Sequence, residues 1–233
     1  MLALTVCIPT GWAAPAPAAY VKMAPLARYL SADRASEIAL ARTAAPKPIS
    51  DHATVLSLGK DGYETAVKGS NGFVCFIQRS WANDFDNDQF WNPRIRTPQC
   101  WNAAAASSVL QDYLNRTKWV LSGVSRQEMV VRTKAEFTRH EIGPPAPGSM
   151  AYMMSKEQYI NDPAPRWYPH VMFFVPATDG SPWGANVSGG PLFSASSDVE
   201  PITTYFLVVP KWSDGTPGPY AANHGEATQH HHG

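Results

Sequence analysis

Three residues in chain order, Cys100, His170 and Asn186, are of the types that build a cysteine hydrolase. Such chemistry needs a thiolate as nucleophile, an imidazole to take its proton, and a third polar group to orient the ring. The stretch RTPQCWNAAAASSVL, residues 96–110, places Cys100 in the first turn of an expected helix. Unpaired amides at a helix start carry partial positive charge and lower a thiol pKa. Gln99, directly before Cys100, can lend an amide to an oxyanion hole.

The cysteine count favours a different use of Cys100. The chain holds Cys7, Cys75 and Cys100. Residues 1–18 read as a secretory signal peptide, with a short apolar run followed by an A-x-A-like cleavage site at Ala16-Pro17-Ala18. Its removal takes Cys7 and leaves two cysteines in an oxidising compartment, periplasmic or secreted. One disulfide, Cys75 to Cys100, is the expectation, and it would silence a nucleophile at Cys100. No later segment is apolar for long enough to form an integral membrane helix.

A third chemistry is ligand binding. Arg166, Trp167, Tyr168 and Trp183 lie in Pro- and Gly-rich loops beside strand ends. Aromatic faces with a few polar groups hold glycans or small organic molecules in clefts. Metal chemistry has little support. His52, His140 and His170 are scattered, and no H-x-H, H-E-x-x-H or C-x-x-C spacing occurs. Asp84, Asp86 and Asp88 alternate as in a calcium loop, but Gln89 and Ile95 stand where glycine and glutamate are needed, so a solvated acidic turn is expected. No cofactor is expected. With 19 basic and 19 acidic residues and no basic patch, nucleic acid is not an expected partner.

These residues need elements to position them. Helical turns are expected from Pro25 to Thr43, capped by Ser31 and ended by Pro46 and Pro48. Strands follow at 53–58, 63–69 and 73–80, joined by Gly59-Lys60-Asp61-Gly62 and Gly69-Ser70-Asn71-Gly72, which read as hairpin turns of an antiparallel meander. In the third strand Phe73, Cys75 and Ile77 share one face. A helix is expected over 98–121, opened by Thr97-Pro98, with Cys100, Ala103, Ala104, Ser107, Leu110, Leu114, Thr117 and Leu121 on one stripe. A second, over 126–141, starts at the capping box Ser125 to Glu128. C-terminal strands are expected at 151–155, 170–177 and 203–210. Strands, helices, then strands make an α+β domain over 51–212. Residues 19–50 read as a helical lead-in with a Pro-rich linker, and 213–233 as a polar tail ending in His230, His231 and His232.

Gln99-Cys100-Trp101, His170 and Asn186 give the chain a motif-level resemblance to the papain-like and NlpC/P60-like cysteine hydrolases. The glycine and serine before the papain-type cysteine are absent, and strands precede the cysteine here. The runs GKDGYETAVKGSNGFVCFIQRSW, RWYPHVMFFVP and YFLVVPKWSDGT resemble a family of exported bacterial proteins with no known activity. That resemblance implies export and a bacterial origin, and no catalytic residue. The sequence as a whole favours a structural or small-ligand-binding α+β domain, with a cysteine hydrolase as the alternative.

Overall fold

The computed structural model describes residues 20–219. The expected signal segment and the His230 to His232 tail lie outside them. The fold is α+β, with five α-helices and one eight-stranded mixed sheet among the described residues. In chain order the elements are α1 (Arg34–Arg42), α2 (Lys47–Ser50), β1 (Thr54–Gly59), β2 (Gly62–Val67), β3 (Val74–Gln78) and β4 (Thr97–Trp101). Then come α3 (Ala103–Ser107), α4 (Leu110–Leu121), α5 (Arg126–Thr138), β5 (Met150–Met153), β6 (His170–Pro176), β7 (Leu192–Ser196) and β8 (Ile202–Val208). The strand order is β2-β1-β3-β4-β5-β6-β8-β7.

The expected meander is corrected at its third strand. β1 and β2 form an antiparallel hairpin, turned by Gly62 at a φ of 125°. β3 does not continue alongside β2. It crosses the start of β1 and pairs on the far side, parallel to β1. Gly69 makes the crossing: a Cβ there would collide with the backbone of Ala53 and Thr54. The crossing is held by Ser70 N–H donating to His52 O at 2.8 Å and Thr54 N–H donating to Phe73 O at 2.8 Å. A turn sequence rich in glycine and asparagine therefore served a crossover, not a hairpin.

The second correction falls on the opening helix of 98–121. Residues Thr97–Trp101 are strand β4, in antiparallel register with β3 over five residues, Cys75 opposite Cys100. Pro98 is tolerated because β4 meets β5 only at Cys100 and Trp101, so Pro98 lies on a stretch paired on one side. The helix starts later, at α3, where Asn102 accepts from Ala105 N–H at 3.0 Å. Local capping signals at Thr97-Pro98 lost to the strand pairing. In α4 the expected Leu110 and Thr117 are buried, but Tyr113 and Val120 take the places expected for Leu114 and Leu121, and Asp112 and Arg116 are buried with them.

Smaller departures follow the same logic. Asp33, not Ser31, caps α1, accepting from Ser36 N–H at 2.8 Å. Ser125 caps α5, but Glu128 turns to Arg132 at 2.9 Å instead of closing the box. Strand β7, LFSAS, carries too weak an alternation to announce itself. The lead-in helix α1 belongs to the domain: its Ala41, with Ala44 and Ala45, packs on Val55, Cys75, Ile77 and Cys100. The start of the expected tail is also tied in, through Ser213 N–H to Met154 O at 2.9 Å.

Alternation along the strands gives the sheet two different faces. The α1 face is a small, alanine-lined cluster around Cys75 and Cys100. The opposite face carries the larger core, including Phe76, Trp101, Met172 and Phe174, beneath Tyr113 and Leu110 of α4. Arg79, fully buried just after β3, ties these parts together. Its Nε donates to Tyr29 O at 2.7 Å, Nη1 to Ile77 O at 2.6 Å, and Nη2 to both oxygens of Glu37 on α1 at 2.8 and 2.9 Å. Its backbone N–H donates to Tyr113 Oη on α4 at 2.8 Å.

Removing one member of a buried pair leaves the other charge uncompensated. Glu37→Gln keeps the shape and removes the charge. It is expected to lower the unfolding free energy by about 3–5 kcal/mol in urea titration. The double replacement Glu37→Leu with Arg79→Met is expected to recover much of that loss.

Candidate functional site

The larger core face is not fully covered. Eight strands at about 4.8 Å spacing span roughly 34 Å, while the 12 residues of α4 make a rod of about 18 Å. A cavity of about 370 Å³ remains between the sheet and α4. Its floor is built from alternate residues of β4, β5, β6 and β8, among them Trp101, Met153, Met172, Phe174, Thr204 and Phe206. Its roof carries Asp112, Tyr113 and Arg116 of α4, and its rim carries Asp84 and Glu200 from two loops. Asp84, Ser196 and Ser197 also line a second cavity of about 530 Å³, which adds Asp86, Asp198 and Arg126. The two cavities share Asp84, Ser196 and Ser197 and together make up the cleft.

The polar groups at the inner end are unevenly satisfied. Arg116 Nη1 donates to Trp81 O and Asn83 O, each at 3.2 Å, Nη2 pairs with Glu200, and the guanidinium lies 4.1 Å from the Phe85 ring centroid. Asp112, 5% exposed, lies beside it with Oδ2 3.6 Å from Nη2. Asp112 Oδ1 has no hydrogen-bond partner among the described residues. Burial raises the Asp112 carboxyl above its ordinary range, and Arg116 opposes the shift without cancelling it. Gln99 and Gln78 bond each other across the floor, and Trp101 Nε1 donates to Gln99 Oε1.

The expected catalytic residues are not brought together. Cys75 and Cys100 sit opposite each other with Cα atoms 4.0 Å apart and sulfurs at disulfide-bonding distance, buried on the α1 face. Cys100 shares its row with Tyr152 and Val171, so His170, the neighbour of Val171, projects to the other face. Gln99 likewise faces away from Cys100, towards the cavity. Asn186, at a φ of 63°, spends its amide on Ser194: Nδ2 donates to Ser194 O at 3.2 Å and Oδ1 accepts from Ser194 N–H at 3.0 Å. His170 is buried beside Trp167 and Phe206, ring centroids 4.8 and 5.7 Å away, and its Nδ1 donates to Tyr168 O at 2.7 Å. Burial pushes its pKa down to about 4, so it is neutral at neutral pH.

The expected ligand-binding residues divide between the two faces. Trp167 packs on His170, Phe193 and Phe206, while Trp183, 67% exposed, lies against Tyr205 on the opposite face. Arg166 is exposed on the loop, and Tyr168 is half-buried. None of the four lines the cleft. Asp84 and Asp86 of the acidic turn do, at its rim. Among the described residues no three of His, Cys, Asp and Glu converge as a metal-holding group. The sequence reading missed Asp112 and Arg116. Their signal was an ionisable pair four residues apart, Asp112-x-x-x-Arg116, flanking the buried Tyr113 and Thr117.

No family model, curated protein or solved structure matches the chain.

Two measurements check the site's frame. Cys75 and Cys100 are expected to resist alkylation until reduced, and replacing both by alanine is expected to cost about 3.5 kcal/mol from the loop of 25 residues they close. For His170, the unfolded imidazole protonates near 6.5 and the folded one near 4. Between those values only the unfolded chain binds the proton, so stability falls as pH drops through the window, by about 3 kcal/mol in all. Asp112 acts in the opposite sense, because its raised carboxyl takes up a proton first in the folded state. The difference between wild type and His170→Gln, followed by urea unfolding from neutral to acid pH, isolates the histidine's share.

Proposed function

We propose that the chain is an exported bacterial domain, periplasmic or secreted, that binds a small organic molecule in the cleft between its sheet and α4. One observation carries the binding reading. The cavity of about 370 Å³ has an aromatic and thioether floor, from Trp101, Phe174, Phe206, Met153 and Met172, and a few convergent polar groups above it. Small-molecule sites combine these features, an apolar wall for affinity and sparse polar groups for orientation. Export is supported by the N-terminal apolar run with Ala16-Pro17-Ala18 and by the Cys75–Cys100 pair, which suits an oxidising compartment. A cysteine hydrolase built on Cys100 draws no support from a paired sulfur and a histidine on the other face of the sheet.

The test is a thermal-unfolding screen against a set of small aromatic fragments, neutral and charged. A ligand at a hundred times its Kd should add about 2.7 kcal/mol of stability. Thr204→Trp fills the floor of the cavity and is expected to abolish the stabilisation. A set without a single stabilising fragment, or stabilisation that survives in Thr204→Trp, defeats the reading.

A further inference from the structure

The inner end of the cleft holds two carboxylates for one guanidinium. Glu200 pairs with Arg116, and Arg116 donates its other amine to two backbone carbonyls. Asp112 keeps only a 3.6 Å contact from Oδ2 to Arg116 Nη2, and Arg116 Nε is without a hydrogen-bond partner among the described residues. The Asp112 side chain is only 8% exposed, it lines the cavity, and Oδ1 likewise has no partner among the described residues. A buried carboxylate oxygen without a donor carries a large desolvation cost, and a ligand that brings a donor removes it. The charge outside points the same way. Asp84, Asp86 and Asp198 line the second cavity, against Arg126 alone. Arg126 is engaged elsewhere, donating to Asn87 O at 3.2 Å with its guanidinium 5.6 Å from the Phe90 ring centroid. The walls fit a cation as well. Trp101, Tyr113, Phe174 and Phe206 line the same cavity as Asp112, and aromatic faces attract ammonium groups through their quadrupoles.

We propose that the ligand of this cleft is a small organic ammonium ion with an apolar body. Its charged head is received by Asp112, and its body lies on the aromatic floor. This rests on the ligand-binding reading above and assigns its chemical class. The head donates a hydrogen bond to Asp112 Oδ1 and balances the excess carboxylate. Asp84, Asp86 and Asp198 steer the cation inward, since clefts lined by one sign of charge concentrate counter-ions. Burial holds the free Asp112 carboxyl above its ordinary range, and a bound ammonium favours its ionised form.

Three probes of nearly equal shape decide it by calorimetric titration of the full chain at neutral pH: 2-phenylethylamine, 2-phenylethanol and phenylacetate. The amine is expected to bind at least about tenfold more tightly than the alcohol, a difference of about 1.4 kcal/mol, with phenylacetate weakest. In Asp112→Asn the amine's advantage over the alcohol is expected to vanish, and a thermal-unfolding transition followed by circular dichroism reports that the variant is folded. Equal binding of amine and alcohol, both lost in Thr204→Trp, overturns the ammonium assignment and leaves the cavity reading intact. Tighter binding of phenylacetate overturns it too, with Arg116 as the governing charge. An amine preference that persists in Asp112→Asn overturns the role of Asp112. Failure of all three probes, while other fragments stabilise the protein through the same cavity, also overturns the ammonium assignment. Failure of these probes and of every fragment removes both readings.

Discussion

Arg79 and Glu37 form a buried ion pair on which several elements depend at once. Two charges out of water are held only where their remaining hydrogen-bonding capacity is met. Here Arg79 is met by the carbonyls of Tyr29 and Ile77, and Glu37 by Ser31 Oγ as well as the guanidinium. The backbone of Arg79 reaches Tyr113 on α4, whose hydroxyl also meets Tyr63 of β2 at 3.0 Å. One residue after β3 thus fixes α1 on one face, α4 on the other, and the segment before α1. The requirement is strict because each of these partners comes from a different stretch of chain. A shift in any of them would strand a charge in the core.

That constraint also explains why the two faces differ. On the α1 face, alanines at 41, 44 and 45 let the helix and the turn after it approach closely, and the Cys75–Cys100 pair fills the remaining space. Close approach leaves no room for a ligand. On the opposite face, α4 is held over the β2 end of the sheet through Tyr113, and the strands from β4 to β8 extend beyond its cover. Loops that carry Asp84 and Glu200 reach over this region without closing it. The cleft is a consequence of sheet width exceeding helix cover. The excess carboxylate within it is the chemical feature that packing alone does not explain.

Much of the framework was legible from pattern. The β1 and β2 strands, the helix from Ser125, the apolar runs at 170–177 and 203–210, and the Cys75–Cys100 pair all carry strong local or compositional signals. The misreadings share a cause. Thr97-Pro98 is a good helix opening, yet the same residues pair with β3 over a full strand, and sheet pairing outweighed a capping preference. Gly69 to Gly72 has the residues of a hairpin, yet its glycine served a backbone crossing. In α4 the buried face keeps Leu110 and Thr117 but turns towards Tyr113 and Val120 rather than Leu114 and Leu121. That turn buries Asp112 and Arg116, which no sequence motif singled out.

Sequence by itself determined the class of fold and the pairing of Cys75 with Cys100. Those depend on composition and on periodicity over a few residues, which the chain displays openly. Tertiary structure alone decided which other residues meet. It set Cys100 and His170 on opposite faces of one sheet, because neighbouring strand positions alternate. It also brought Asp112, Arg116 and Glu200 from a helix and a distant loop to one cavity. No local signal encodes such a meeting, since it follows from strand order and from where a buried arginine pins the helices.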